Sequence, residues 1–186
     1  MDVRQAIRDR VSVKEYAPRA VPRERIEALL ELALQAPNHR MTRPVEFRVL
    51  GDRSRRAYAE ALAGRKTARI DDPAAADAVR EKVTRRTLAV PAMIGVVVAV
   101  AEDPEVREED YATAFMAIQN LSLAAVETGL GTHIKTGAVM DEPALRTALE
   151  VGPAQRLAAI VFLGEPAEVP APKPREPAAD RTRWLD

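Results

Sequence analysis

At 186 residues the chain is sized for one domain, or for a protomer that shares its core with a partner. Apolar residues make up 47% and charged ones 30%, and 28 Lys plus Arg balance 28 Asp plus Glu, so no global field draws the chain to nucleic acid or a membrane. The absence of Cys excludes disulfides, thiol catalysis and thiolate metal ligation, while only two distant histidines, His39 and His133, argue against a His-based zinc site.

The N-terminus has no apolar leader, and the longest apolar run, Met93 to Ala101, is too short to cross a bilayer. A cytoplasmic location is therefore expected. Residues Asp2 to Asp9 carry Val3, Ala6 and Ile7 at helical spacing. Next, Arg10, Ser12 and Lys14 alternate with Val11 and Val13, so in an extended chain the three polar groups share one face about 7 Å apart. A guanidinium, a hydroxyl and an ammonium so arranged suit a phosphate or an electron-rich ring edge. The alternative is a solvated edge strand.

Pro22 opens a second helix with an apolar stripe of Ile26, Leu29, Leu30, Ala33 and Leu34, and Pro37 begins a polar loop, Asn38 to Arg43. A strand is expected around Glu46 to Leu50. Asp52 to Ile70 and Ala74 to Ala89 read as charged, peripheral helices, with Arg53, Arg55 and Arg56 on a solvated face. Met93 to Ala101 is a central strand, apolar on both faces. From Arg107 to Thr128 runs the longest helical pattern, stopped by Gly129; between Tyr111 and Val126 it is apolar nearly all round. Burying such a helix in so small a chain is achieved most simply across a subunit interface. Gln119 and Asn120 within it need hydrogen-bond partners, either a ligand or, more simply, helix or backbone groups.

A Gly-rich turn then leads into His133, Ile134, Lys135, Thr136 and Gly137, where backbone N–H groups and an ammonium could meet an anion, although such turns are commonly structural. Neither P-loop nor dinucleotide-fold spacing occurs. Asp141 is expected to cap a short helix through Glu150, and Leu157 to Leu163 forms another buried strand. Helices alternating with about four strands argue for an α+β layer structure. Beyond Gly164 the chain is Pro-rich and charged, which divides it into a body, 1–164, and an extension, 165–186, whose lone Trp184 suggests docking on another surface.

Five segments in order resemble the FMN-dependent nitroreductase family over essentially the full length: Arg10-Val-Ser-Val-Lys14, Ala36-Pro-Asn-His-Arg-Met-Thr-Arg-Pro44, Ala117 to Ala125 with Gly129-Leu-Gly131, His133-Ile-Lys-Thr-Gly137, and Val161-Phe-Leu-Gly-Glu-Pro166. The resemblance implies a mixed central sheet flanked by helices and a homodimer with FMN sites shared across its interface. It implies that Arg10, Val11 and Ser12 hold the phosphate and ribityl end with Ile134, Lys135, Thr136 and Gly137, while Lys14 reaches the flavin N1–C2 carbonyl edge. Gln35, Pro37, Asn38, His39 and Met41 would line the flavin from the other subunit, and residues 165–186 would cross to it. The implied activity is hydride transfer from NADH or NADPH through flavin N5 to a small conjugated acceptor, nitroaromatic or quinone. A flavin-binding protein with little turnover, or flavin-dependent dehalogenation or dehydrogenation, is the alternative. The family often carries Ser after the loop Pro, Asn three residues later, then Gln-Pro-Trp, and a Trp near Ile134; here those places hold Asn38, Met41, Arg43-Pro44-Val45 and Ile134.

Overall fold

Two runs too apolar to face water set the middle of the sheet. The computed structural model, which describes residues 1–185, has strands β1 (Val45–Val49), β2 (Ala92–Ala99), β3 (Gly131–Lys135) and β4 (Gln155–Gly164) in the order β1-β2-β4-β3. All three ladders are antiparallel, and the parallel component is a single bridge, Ser12 to Thr132. β2 and β4 are central and nearly wholly buried, as their Val- and Ile-rich runs require.

Helices cover both faces, which is why antiparallel strands are apolar on both sides here. One face packs Ile94, Val96, Val98 and Val161 beneath α2 (Arg23–Ala33) and α5 (Pro104–Glu127). The other packs Met93, Val97, Ile160 and Phe162 against α3 (Asp52–Thr67) and α6 (Pro143–Ala148). A bulge lets Ala158 and Ala159 both face the first cluster while Leu157 and Ile160 face the second. Gly95 leaves room for Leu149, whose Cδ2 would lie 2.7 Å from any added Cβ.

Carboxylates start three of the helices. Asp2 accepts from Gln5 N at 2.8 Å ahead of α1 (Val3–Asp9), Asp72 from Ala74 and Ala75 N ahead of α4 (Pro73–Leu88), and Asp103 from Glu105 N at 2.8 Å ahead of α5. Gly129, at φ 76°, ends α5 in the left-handed region that favours glycine, and Arg25 Nη2 donates to the last-turn carbonyl of Thr128 at 2.6 Å.

Several expectations are corrected. Asp141 caps nothing: it closes a 3₁₀ turn, Ala138–Asp141, and Glu142 precedes a shorter α6. Leu34 leaves the apolar stripe because α2 ends at Ala33, and it is exposed. The arginine face is not uniformly solvated: Arg55 is half-buried, with Nε and Nη2 lacking any hydrogen-bond partner, and burial lowers its pKa. The α3–α4 pair is less peripheral than its charge suggests, since Tyr58, Ala59 and Ala63 are sealed in the core. Within one chain the long α5 leaves Ala112, Met116 and Gln119 exposed along one side, in keeping with a helix that a single chain of this size does not enclose.

The segment after α1 is held to this frame by backbone and packing. Val13 N donates to Thr132 O at 2.9 Å, and buried Val13 sits against Gly131, where any Cβ would collide with it. Gly131→Ala is therefore expected to destabilise the fold by about 1–3 kcal/mol, read from chemical denaturation; an unchanged midpoint would mean that Val13 can move aside.

Candidate active site

α1 ends at Asp9, and Arg10, whose N–H still bonds Ala6 O at 3.0 Å, turns the backbone into the extended region. The Thr132 bridge then keeps the chain extended, so side chains alternate: Val13 goes inward, while Ser12 and Lys14 point out. Two further bonds fix the exit, Ala17 N to Glu165 O at 2.9 Å and Ala167 N to Glu15 O at 3.0 Å, and Tyr16 Oη donates to Val13 O at 2.9 Å. Those contacts tie the start of the C-terminal extension, as far as Ala167, to the segment after α1.

Arg10, Val11, Ser12, Lys14 and Ile134 line one cavity of about 1220 Å3, with Gln119 of α5 across it. Lys173 and Arg175 of the C-terminal segment complete the wall. Neither Lys173 nor Arg175 was among the expected site residues, and Gln119, for which ligand binding was the lesser of two uses, lies on the cavity wall. A signal existed: Lys173 precedes Pro174, which favours extended backbone, and residues 173 and 175 then share a side. Arg8 and Asp9 also lie on this wall, so three guanidinium groups, two ammonium groups and a hydroxyl face one carboxylate around one space, a net cationic donor set for a phosphate-bearing ligand.

Strand alternation splits the other expected cluster. Ile134 faces the Arg10 cavity, whereas His133 and Lys135 point to the opposite face of β3, where Lys135 Nζ lies 3.3 Å from His133 Nε2 and 5.3 Å from the Phe162 ring centroid. Thr136 and Gly137 are exposed at the strand's end, with Gly137 at φ 99° turning the chain. Burial first, then Lys135 and Lys14, push the His133 pKa down to about 4. Burial likewise lowers that of Lys135, helped by Lys66, Lys14 and Arg86.

The remaining expected residues lie elsewhere. Asn38 and Met41 line a separate cavity of about 450 Å3 with Thr113 of α5, six residues and so about 9 Å of helix rise from Gln119. Gln35, Pro37 and His39 are exposed nearby, and Pro37 O accepts from Thr113 Oγ1 at 3.1 Å. This loop is strained, with Arg40, Met41 and Arg43 at φ 62°, 53° and 49°. It is pinned nonetheless. Asn38 Nδ2 donates to Thr42 Oγ1 at 2.9 Å and its Oδ1 accepts from Arg43 N at 2.7 Å. Thr42 bonds the buried carboxyl of Asp110, and His39 Nδ1 lies 2.7 Å from Glu109 Oε1, whose pKa is lowered chiefly by that contact and also by Arg40. Within one chain, the two halves of the implied flavin site are therefore apart.

Among the described residues no group of His, Asp or Glu could hold a metal, and no helix is long and apolar enough to cross a membrane.

This arrangement has known counterparts. The sequence model of the Nitroreductase family matches residues 7–165, and the chain belongs to that family. It is 32% identical over 187 residues to Bacillus subtilis (strain 168) YfhC, a protein named as a candidate NAD(P)H nitroreductase, covering 96% of this chain and 92% of that one. It is 27% identical over 167 residues to YdjA of Escherichia coli (strain K12), named in the same way, at 89% of each chain. Its backbone matches the crystal structure of a nitroreductase-like family protein from Bacillus cereus with a TM-score of 0.86 at 25% identity, covering 100% of this chain and 97% of that one. The FMN- and NADPH-dependent nitroreductase NfnB of Sphigopyxis sp. strain HMH matches over 100% of both chains, at a TM-score of 0.79 and 20% identity, a likeness of fold.

The depressed His133 has a measurable consequence. Unfolded, the ring takes a proton near pH 6.5; folded, near 4. Between those values the unfolded chain binds more protons, so this group makes stability fall as pH drops from about 6.5 to about 4. His133→Asn should flatten that part of a melting-temperature profile; an unaltered slope would show that His133 is not its source.

Proposed function

We infer that the chain is an FMN-dependent NAD(P)H oxidoreductase acting on small conjugated acceptors of nitroaromatic or quinone type. One observation carries the reading: a single cavity, larger than most small-molecule sites, gathers Arg10, Ser12, Lys14, Lys173 and Arg175 beside an apolar wall of Val11 and Ile134. That donor set fits FMN, which has a dianionic tail and a planar ring. Arg10, Lys173 and Arg175 hold the phosphate, Ser12 bonds the ribityl chain, and Lys14 faces the pyrimidine edge. When bound, FMN supplies hydride acceptance from NADH or NADPH and onward reduction of the acceptor. Lys14 stabilises negative charge at that edge, and the apolar wall keeps the ring ordered. No side chain of the site is assigned as a general acid or base.

The working form is a homodimer. α5 leaves Ala112, Met116 and Gln119 exposed, and α1 leaves Val3 and Ile7, a surface that a second copy would cover. A second copy would also bring a loop with Pro37, Asn38, His39 and Met41 to a flavin held at Arg10, and would receive the end of the tail, where Trp184 is 92% exposed.

Purified protein is expected to be yellow and to bleach when mixed anaerobically with NADPH or NADH. Arg10→Ala, which removes one charge-assisted phosphate contact of about 1.5–3 kcal/mol, should lose most of its flavin on gel filtration. Truncation after Ala167, which removes Lys173 and Arg175, should do the same. Retention of flavin in both variants would refute the phosphate assignment, and flavin that NAD(P)H cannot bleach would favour a binding protein with little turnover.

A further inference from the structure

A second cavity, of about 680 Å3, opens on the other face of β3 beneath the α3–α4 pair. Its walls carry five cations, Lys14, Lys66, Lys82, Arg86 and Lys135, and no Asp or Glu lines it among the described residues. Arg86 is paired with Glu15, but none of the four lysines has a carboxylate partner among the described residues. The chain as a whole is neutral, so this is a local excess of charge and not a global one. A solvated basic surface is ordinarily convex and polar. This one is a cleft floored by Leu62, Val83, Val90 and Phe162, with Lys135 and His133 drawn half into it. The field within it is unrelieved, since burial and the neighbouring cations together lower the Lys135 pKa. His133, with a pKa near 4, is neutral at pH 7 and adds a ring edge against Phe162 instead of a charge. An anion would relieve that repulsion, and the apolar floor would seat whatever carried it.

We propose that this cleft binds an oxyanion carried on an aromatic body, a phosphate or carboxylate of the hydride donor or of the acceptor, with Lys66 and Lys82 gripping the anion and Phe162 beneath the ring. Lys14 lines both cavities, so a ligand seated here abuts the occupant of the Arg10 cavity. In naming the ligand as donor or acceptor, the inference rests on reading that neighbour as flavin. Lys66 and Lys82 lie outside the assigned flavin site and are exposed on helices, so replacing them leaves the fold and the flavin grip intact.

The test is calorimetric binding to the purified protein in excess FMN, comparing wild type, Lys66→Gln/Lys82→Gln and a Lys82→Glu single variant. The probes are adenosine 2′,5′-bisphosphate against adenosine 5′-monophosphate, and 4-nitrobenzoate against nitrobenzene. Preference for the bisphosphate, lost at least about tenfold in the double variant, assigns the anion to the ribose phosphate of NADPH. Preference for nitrobenzoate, lost in the same way, assigns it to a carboxylated acceptor. Lys82→Glu, which changes the charge of the cleft by the same two units, should weaken the preferred probe to a comparable extent, and raised salt should weaken it in wild type. Equal, lysine-dependent binding of the two nucleotides assigns the anion to the 5′-phosphate they share. Binding of neither nucleotide together with nitrobenzoate no tighter than nitrobenzene, or affinities that the lysine variants leave unchanged, overturns the proposal. Flavin absorbance in the same samples separates the two readings: protein that takes up no FMN but binds these anions through Lys66 and Lys82 refutes the flavin site alone.

Discussion

The backbone bond from Val13 to Thr132 is the contact on which the candidate site depends. It ties the segment leaving α1 to the edge strand β3 and forces that segment to be extended. Alternation then does the sorting: Val13 seals against Gly131, and Ser12 and Lys14 are turned outward beside Arg10. Without that register the same residues would be an untethered basic strand. With it, a guanidinium, a hydroxyl and an ammonium are presented in fixed order along one wall. The order matches an elongated ligand with an anionic tail.

β3 serves two faces because it is short and lies at the sheet edge. Ile134 looks toward the Arg10 cavity, while His133 and Lys135 look toward the α3–α4 cleft. A single strand thus forms the partition between two cationic spaces joined at Lys14. The sheet behind it is stiff, with β2 and β4 closed on both faces. Rigidity there matters, because a small shift of β3 would move the walls of both spaces together.

Much of the scaffold was legible in the sequence, for reasons that are local. The run from Met93 and the run from Leu157 are too apolar for any place but the sheet centre, and Gly129 marks the end of α5 by capping chemistry. The start of α5 was less legible: the apolar periodicity begins at Arg107, whereas the helix begins at Pro104 behind the Asp103 cap. The alternation of Arg10, Ser12 and Lys14 was visible as a pattern of period two. What stayed hidden depended on distant contacts. Lys173 and Arg175 sit in a Pro-rich stretch with no core signal of its own, and only the return of the chain past Tyr16 brings them to Arg10. Lys135 was grouped with Ile134 and Thr136 as one run, although alternation already sends it to the other face. Arg55 looked solvated because a helix face rich in arginine gives no hint that one of them folds under toward Pro91 O. Two halves of the implied flavin site remain apart within one chain, and that separation is itself informative: it is what a site completed by a second copy requires.

Family membership fixes the fold, and the grip on a phosphate is the specific claim made for this chain. Its most direct test is the affinity of the apoprotein for FMN against riboflavin, which differs only in lacking the phosphate, measured by fluorescence quenching. Two or more charge-assisted contacts to that group predict a preference for FMN of at least about a hundredfold, diminishing as salt is raised. Equal affinity for the two flavins would contradict the account, since the cations around Arg10 would then be holding nothing.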